Sequence, residues 1–450
     1  MQTSPRQLHR LAIAALGSLA LAACADETTA PTFPFAVDVS PRAGSTGTDF
    51  ECKAGSGADH ADSVVRVRWD FENDGAWDTD WSIQKSITHR FATAGNKTVR
   101  VEAELVGGAT GTATVGVDVL AAGWWSGFAP PPNGLGLNDQ SVIVGEWNGS
   151  IIVGGAFTEA GGIAANHIAS WDGSAWSPLG SGMNSGVIAL GAYHNDLIAS
   201  GSFTQAGGVS ATRIARWDGA SWSAMGDGFN VAPYAFAVLR DTLFAGGPFT
   251  MTGADSVDYV AKWDGTRWRS VHTGFKDDVY ALAIWRGQLI AGGALNASNF
   301  QGSLATYDGA RWTYLPGLNN SAYAMTVWND ELVVGGFFLT ANGATVNRIA
   351  RWDGVTWRGF GEGLSDWVTA VTLYNGDVVA CGKFTVAGTE QVSHIARWNG
   401  TRWLPFGSGL SGLAETMPWW MLSLNGKLYV AGAFITAGGA PSSYFARWED

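Results

Sequence analysis

The stretch Arg213 to Trp222 reads RIARWDGASW, and close copies of it recur to the end of the chain. HIASWDGSAW precedes it, and YVAKWDGTRW, LATYDGARW, RIARWDGVTW, HIARWNGTRW and FARWED follow. A β-branched and aromatic run, then Asp-Gly, then a second run opened by Trp predicts two strands joined by a tight turn. Asp-Gly suits a type I′ hairpin, in which both central residues need φ > 0.

Working outward, the Trp residues that open the second run are Trp125, Trp176, Trp222, Trp268, Trp312, Trp357 and Trp403, spaced 51, 46, 46, 44, 45 and 46 residues apart. Each period holds four short runs of the VYALAIW, LIAGG, IARW and WSAMG type, with Asn-Gly turns at Asn148, Asn375 and Asn425. Repeats of this length, rich in Gly and Trp and poor in charge, predict an all-β propeller blade rather than a helical solenoid. Trp125 to Phe128 supplies only a last strand, and the C-terminus supplies the first three with no fourth. The two ends therefore predict one composite blade, which makes seven over residues 124 to 450 and removes the open edges. Of the 23 Trp, thirteen fall on two repeat columns, so most are expected in the core and not on a sugar-stacking surface.

Before the repeats the chain changes character twice. Residues 1 to 23 carry Arg6, Arg10 and the apolar run LAIAALGSLALAA, too short to span a bilayer and long enough for a signal-peptide core. Leu21-Ala22-Ala23-Cys24 resembles the bacterial lipobox, which implies a lipid on Cys24 and membrane attachment through that anchor alone. Ala25 rather than Asp follows, which under the family's sorting rule favours the outer membrane or cell surface. Residues 24 to 33 are a polar, Pro-containing tether.

Residues 34 to 120 predict a separate small sandwich of short alternating strands such as VVRVRW. Within it, RWDFENDGAWDTDWS (Arg68 to Ser82) and HRFATAGNKTVRVEA (His89 to Ala103) resemble the polycystic-kidney-disease-type (PKD) domain. That resemblance implies an immunoglobulin-like spacer or adhesive module of a secreted protein. Asp70, Glu72, Asp74 and Asp78 alternate as in the first part of an EF-hand loop, a pattern for Ca²⁺. Position twelve is Trp81 instead of Glu, however, and the alternative is that Asp70 and Asp74 cap the turn through its own backbone. No other cofactor is expected.

The repeats resemble kelch-type units, and more closely the GGxF…IAxWDGxxWxxLGxG repeats of the fungal cortical polarity-marker family and of many secreted bacterial proteins. This implies the fold and leaves function open, because propellers host unrelated chemistries. His167 and His394 share a column with Arg213, Tyr259, Arg348 and Tyr444, which reads as a half-buried polar position and not a ligand set. Asp and Gly are adjacent, unlike the Ser-x-Asp-x-Gly-x-x-Trp box of sialidases. The column Arg216, Lys262, Arg351, Arg397 and Arg447 is expected to stack on Trp and pair with the next blade's Asp.

Function is sought where the repeat breaks. Tyr234, Tyr280 and Tyr323 lie in register at the start of the first strand of consecutive blades, Trp419 joins them from the closing blade, and Trp367 lies beside the column. Loop acids Asp277, Asp278, Asp366 and Glu415 lie nearby. Such an aromatic crescent with acids fits a glycan or protein ligand, with packing between blades as the alternative. A carbohydrate-active enzyme using Asp277, Asp278 or Asp366 is the competing expectation, and a purely structural envelope protein a third. Net charge of −12 with no basic cluster excludes nucleic acid as a partner, and the chain is expected to be monomeric.

Overall fold

The computed structural model describes residues 36–40, 43–45, 50–55, 64–92, 95–120, 123–130, 134–296 and 302–449. The expected signal peptide, Cys24 and the tether lie outside these residues. Every regular element among them is a strand.

The N-terminal domain is a sandwich. One sheet pairs Val37–Ser40, Phe50–Ala54 and Ser86–His89; the other orders Ala43–Ser45, Thr110–Leu120, Gly95–Leu105 and Val64–Asp70. Period-two alternation sends Phe50, Val67, Trp69, Val99, Val101 and Val117 into one core with Phe91. The acidic turn closes on its own backbone. Asp70, fully buried, accepts the amides of Asp74 at 3.2 Å and Gly75 at 3.1 Å. Asp78 accepts the Phe71 amide at 2.7 Å, and Asp74 that of Ala76 at 2.8 Å. Asp70, Asp74 and Asp78 are thus occupied as turn caps. Among the described residues no three His, Cys, Asp or Glu side chains converge as an ion cage.

The repeats form seven four-stranded antiparallel sheets. Their first strands are Ser141–Trp147, Val187–Tyr193, Ala235–Leu239, Val279–Trp285, Ala322–Trp328, Val368–Tyr374 and Met417–Leu424. Each touches the next, and the last touches the first, so these strands surround a closed central channel. The seventh sheet pairs Phe445–Glu449 with Trp124–Gly127, in the register Trp448↔Trp125. The composite blade is real.

Two local expectations need correction. Trp217 pairs with Trp222, leaving Asp218 to Ser221 as a four-residue loop in which only Gly219 has positive φ (103°). The Asp is not in the left-handed region. Its carboxylate instead accepts the amides of Ala220 and Ser221, each at 2.8 Å, which satisfies the loop without a type I′ turn. Two successive positive φ values occur instead in the turns after the first strands, as at Asn148 and Gly149 (48° and 78°) and Arg240 and Asp241 (48° and 63°). The Arg column pairs within its own blade: Arg216 meets Asp196 at 3.5 Å, Arg351 meets Glu331 at 3.2 Å and Arg397 meets Asp377 at 3.8 Å. Arg and acid sit on neighbouring strands of one sheet.

The Trp columns do more than fill space. Trp125, Trp176, Trp222, Trp357 and Trp403 each donate the indole N–H to a backbone carbonyl of the preceding blade, at 2.6 to 3.0 Å. At the other end, the last residue of the first strand reaches the next blade's turn. Trp147 donates to Asn195 O (2.9 Å), Tyr193 to Asp241 O (3.1 Å) and Trp328 to Gly376 O (3.0 Å). A buried carbonyl left unpaired costs about 1–3 kcal/mol, so the Trp-column bonds fix blade spacing as well as packing, while the first-strand bonds lie at the exposed rim.

Candidate binding site

Six of the seven first strands, all but Ala235–Leu239, enter the ring through a β-bulge. Val279 pairs with Gly293 and Ala281 with Gly292, which leaves Tyr280 as the extra residue; Val142, Ile188, Tyr323, Thr369 and Trp419 are placed in the same way. A bulge re-aims its side chain, here toward the channel mouth. The second Gly of each Gly-Gly makes room for this entry. A Cβ on Gly293 would stand 2.1 Å from the Asp278 carbonyl, and one on Gly382 2.0 Å from that of Trp367.

Six bulged side chains (Val142, Ile188, Tyr280, Tyr323, Thr369 and Trp419), with Tyr234, Trp367 and Trp420, enclose a cavity of about 500 Å³. Below it the first strands line a narrower space of about 270 Å³. Tyr234 stacks on Tyr280 (centroids 6.2 Å, 16°), Tyr280 tilts against Tyr323 (5.0 Å) and Tyr323 against Trp367 (6.2 Å). All these rings are half-buried, so the rings pack on one another and still present surface to the cavity. Ring packing and an open aromatic wall coexist.

The acids separate into two kinds. Asp277 accepts the Asp278 amide at 2.9 Å and Asp366 the Trp367 amide at 2.8 Å, the same bonds that Asp139 and Asn320 make at equivalent positions. These are strand-entry caps shared around the ring. Asp278 occupies a position held elsewhere by Gln140, Gly186 and Ser321, and it faces the Tyr280 hydroxyl at 3.4 Å. Burial, followed by the neighbouring Asp277 charge, raises its carboxyl above the ordinary range. Burial, then Asp278, likewise raises the Tyr234 and Tyr280 hydroxyls, which therefore stay protonated and can donate. Glu415 is exposed and pairs with Lys383 at 3.0 Å.

Sequence alone missed Val142, Ile188 and Thr369 in the wall, and also Phe337 with Arg348 behind Trp367. Phe337 packs edge-on to Trp367 at 4.9 Å, and Arg348 lies 4.4 Å over Phe337. Phe337 was findable, because Ala156, Ser202 and Ala294 fill its column in other blades. The His column is a scaffold device. His167, Arg213, Tyr259, Arg348, His394 and Tyr444 all sit at φ 63° to 73°, and the amide of each donates to the carbonyl of a buried Phe.

Residues 34–117 match the family described as PKD domain. No curated protein matches the chain. Among solved structures, the computationally designed Ika8 protein is 16% identical with a TM-score of 0.44, covering 69% of this chain and 90% of its own. An extracellular domain assigned to a one component system of Bacteroides thetaiotaomicron is 10% identical with a TM-score of 0.48, covering 72% of this chain. This chain spans about 40% of that domain's length. A structural genomics protein of unknown function from the same organism is 11% identical with a TM-score of 0.36, covering 93% and 98%.

Proposed function

We propose that the chain is a non-catalytic binding lipoprotein of the cell surface. Cys24 carries the lipid, the PKD-like domain is the spacer, and the kelch-like propeller presents its channel mouth to a glycan or protein ligand. The observation that supports this is the convergence of Tyr234, Tyr280, Tyr323, Trp367 and Trp419 on one cavity of about 500 Å³. Exposed aromatic faces in a pocket of that size are stabilised by covering them. All of them except Trp367 come from positions where other blades place Val142, Ile188 or Thr369, and a scaffold that needs only packing accepts those smaller residues.

The test is a glycan array and an envelope-protein pull-down with the full chain and with Tyr280→Ala. Ligands captured by the parent and lost with the variant support the mouth as the site. Equal capture by both would overturn it.

A further inference from the structure

We infer that the mouth selects an alkylated ammonium head group over a neutral sugar, which rests on the mouth being the ligand site. The wall offers faces rather than hydrogen bonds. Val142 and Ile188 are aliphatic, and the Thr369 hydroxyl is already engaged by the Pro418 carbonyl at 2.6 Å. A pyranose needs several donors and acceptors fixed around its rim, because each hydroxyl loses water on entry. A quaternary ammonium needs none. It needs the negative faces of aromatic rings and a nearby anion.

Both are present on one arc. Tyr234, Tyr280 and Tyr323 form a continuous run of rings, and Asp278 stands at its edge, in reach of the Tyr280 hydroxyl. Among the described residues no Lys, Arg or His forms an ion pair with Asp278. Lys276, two residues before Asp278, is exposed and forms no ion pair among the described residues, and the cations beside Asp366 are committed elsewhere. Lys383 pairs with Glu415 at 3.0 Å, and Arg348 donates to the Phe337 carbonyl at 2.6 Å while covering that ring. The mouth therefore carries an acidic group with no cationic partner beside open π faces, in a protein whose net charge is already −12.

The experiment is calorimetric titration of the full chain with choline, with its neutral isostere 3,3-dimethylbutan-1-ol, and with a neutral oligosaccharide. Choline is expected to saturate one site, with the isostere and Asp278→Asn each weaker by about tenfold and Tyr280→Ala abolishing the heat. Asp278→Asn preserves shape, so its effect is read without a change of fold. If the isostere binds as well as choline, or if Asp278→Asn binds choline as tightly as the parent, the cation assignment fails. An oligosaccharide bound in place of choline and lost with Tyr280→Ala would overturn the assignment and leave the mouth as the site. Choline binding untouched by Tyr280→Ala would overturn both.

Discussion

Trp125 and Trp448, from opposite ends of the repeats, face each other across the seam with ring centroids 5.4 Å apart at 70°. Trp171 and Trp176 meet at 5.2 Å, and Trp217 and Trp222 at 5.3 Å, inside ordinary blades. The joint that closes the ring is built like every other hairpin pair, except that no turn connects it. Trp125→Ala removes the ring contact and the N–H bond to the Phe406 carbonyl (3.0 Å) together. It should cost about 3–5 kcal/mol in urea unfolding. A loss below about 1 kcal/mol would mean that the seam contributes little to closure.

The bond from Trp328 to the Gly376 carbonyl ties one blade to the next. Trp328→Phe keeps a ring and deletes the donor, and should lower stability by about 1 kcal/mol. Leu239 and Leu424 hold the equivalent position without a donor, so the ring tolerates the loss and the variant should fold.

Burial lowers the pKa of His394, against an opposing hydrogen bond to the Gly382 carbonyl, and burial lowers that of His89, against Asp78. Each is favoured neutral in the folded state, so the unfolded chain binds more protons. The stability they contribute is complete above about pH 6.5 and is lost as pH falls from there through the lowered folded-state values. Tm should therefore fall from pH 7 to pH 5, more steeply than in the double variant His89→Gln, His394→Gln.

Asp278 has the opposite sign. Its carboxyl is raised, first by burial and then by Asp277, so the folded state binds the extra proton and stability declines as pH rises through the raised value. Asp278→Asn should raise Tm slightly at pH 7 while weakening ligand binding. A residue kept for packing would show no such opposition, and a drop in Tm with unchanged binding would contradict the role proposed for it.

Asp70 is fully buried and accepts two turn amides. Asp70→Ala should destabilise the N-terminal domain by about 1–3 kcal/mol. The loss should be the same in EDTA and in Ca²⁺ if the turn depends on these bonds. A rise in Tm of the parent on adding Ca²⁺ would show that the carboxylates also hold the ion.

The ring was legible because RIARWDGASW repeats with a near-constant period, and because WSGF and FARWED are complementary fragments of one unit. The turn type was not. Asp-Gly is compatible with several loops, and only the pairing of Trp217 with Trp222 decides among them. The alignment of Tyr234, Tyr280 and Tyr323 marked the mouth, but not that it is a bulge that turns Tyr280 inward. A bulge is a register shift between strands, and one strand's sequence does not carry it. Asp277 and Asp278 looked alike as neighbouring acids. Their backbone partners separate a cap found around the ring from a carboxylate found at one position.

The most direct test of the mouth as a binding site is a crystal structure of the full chain with the tightest ligand from the arrays. The account predicts density between Tyr280, Tyr323 and Trp419, within contact of all three rings. Ligand bound on the outer blade faces or on the N-terminal domain, with the mouth holding only water, would contradict it.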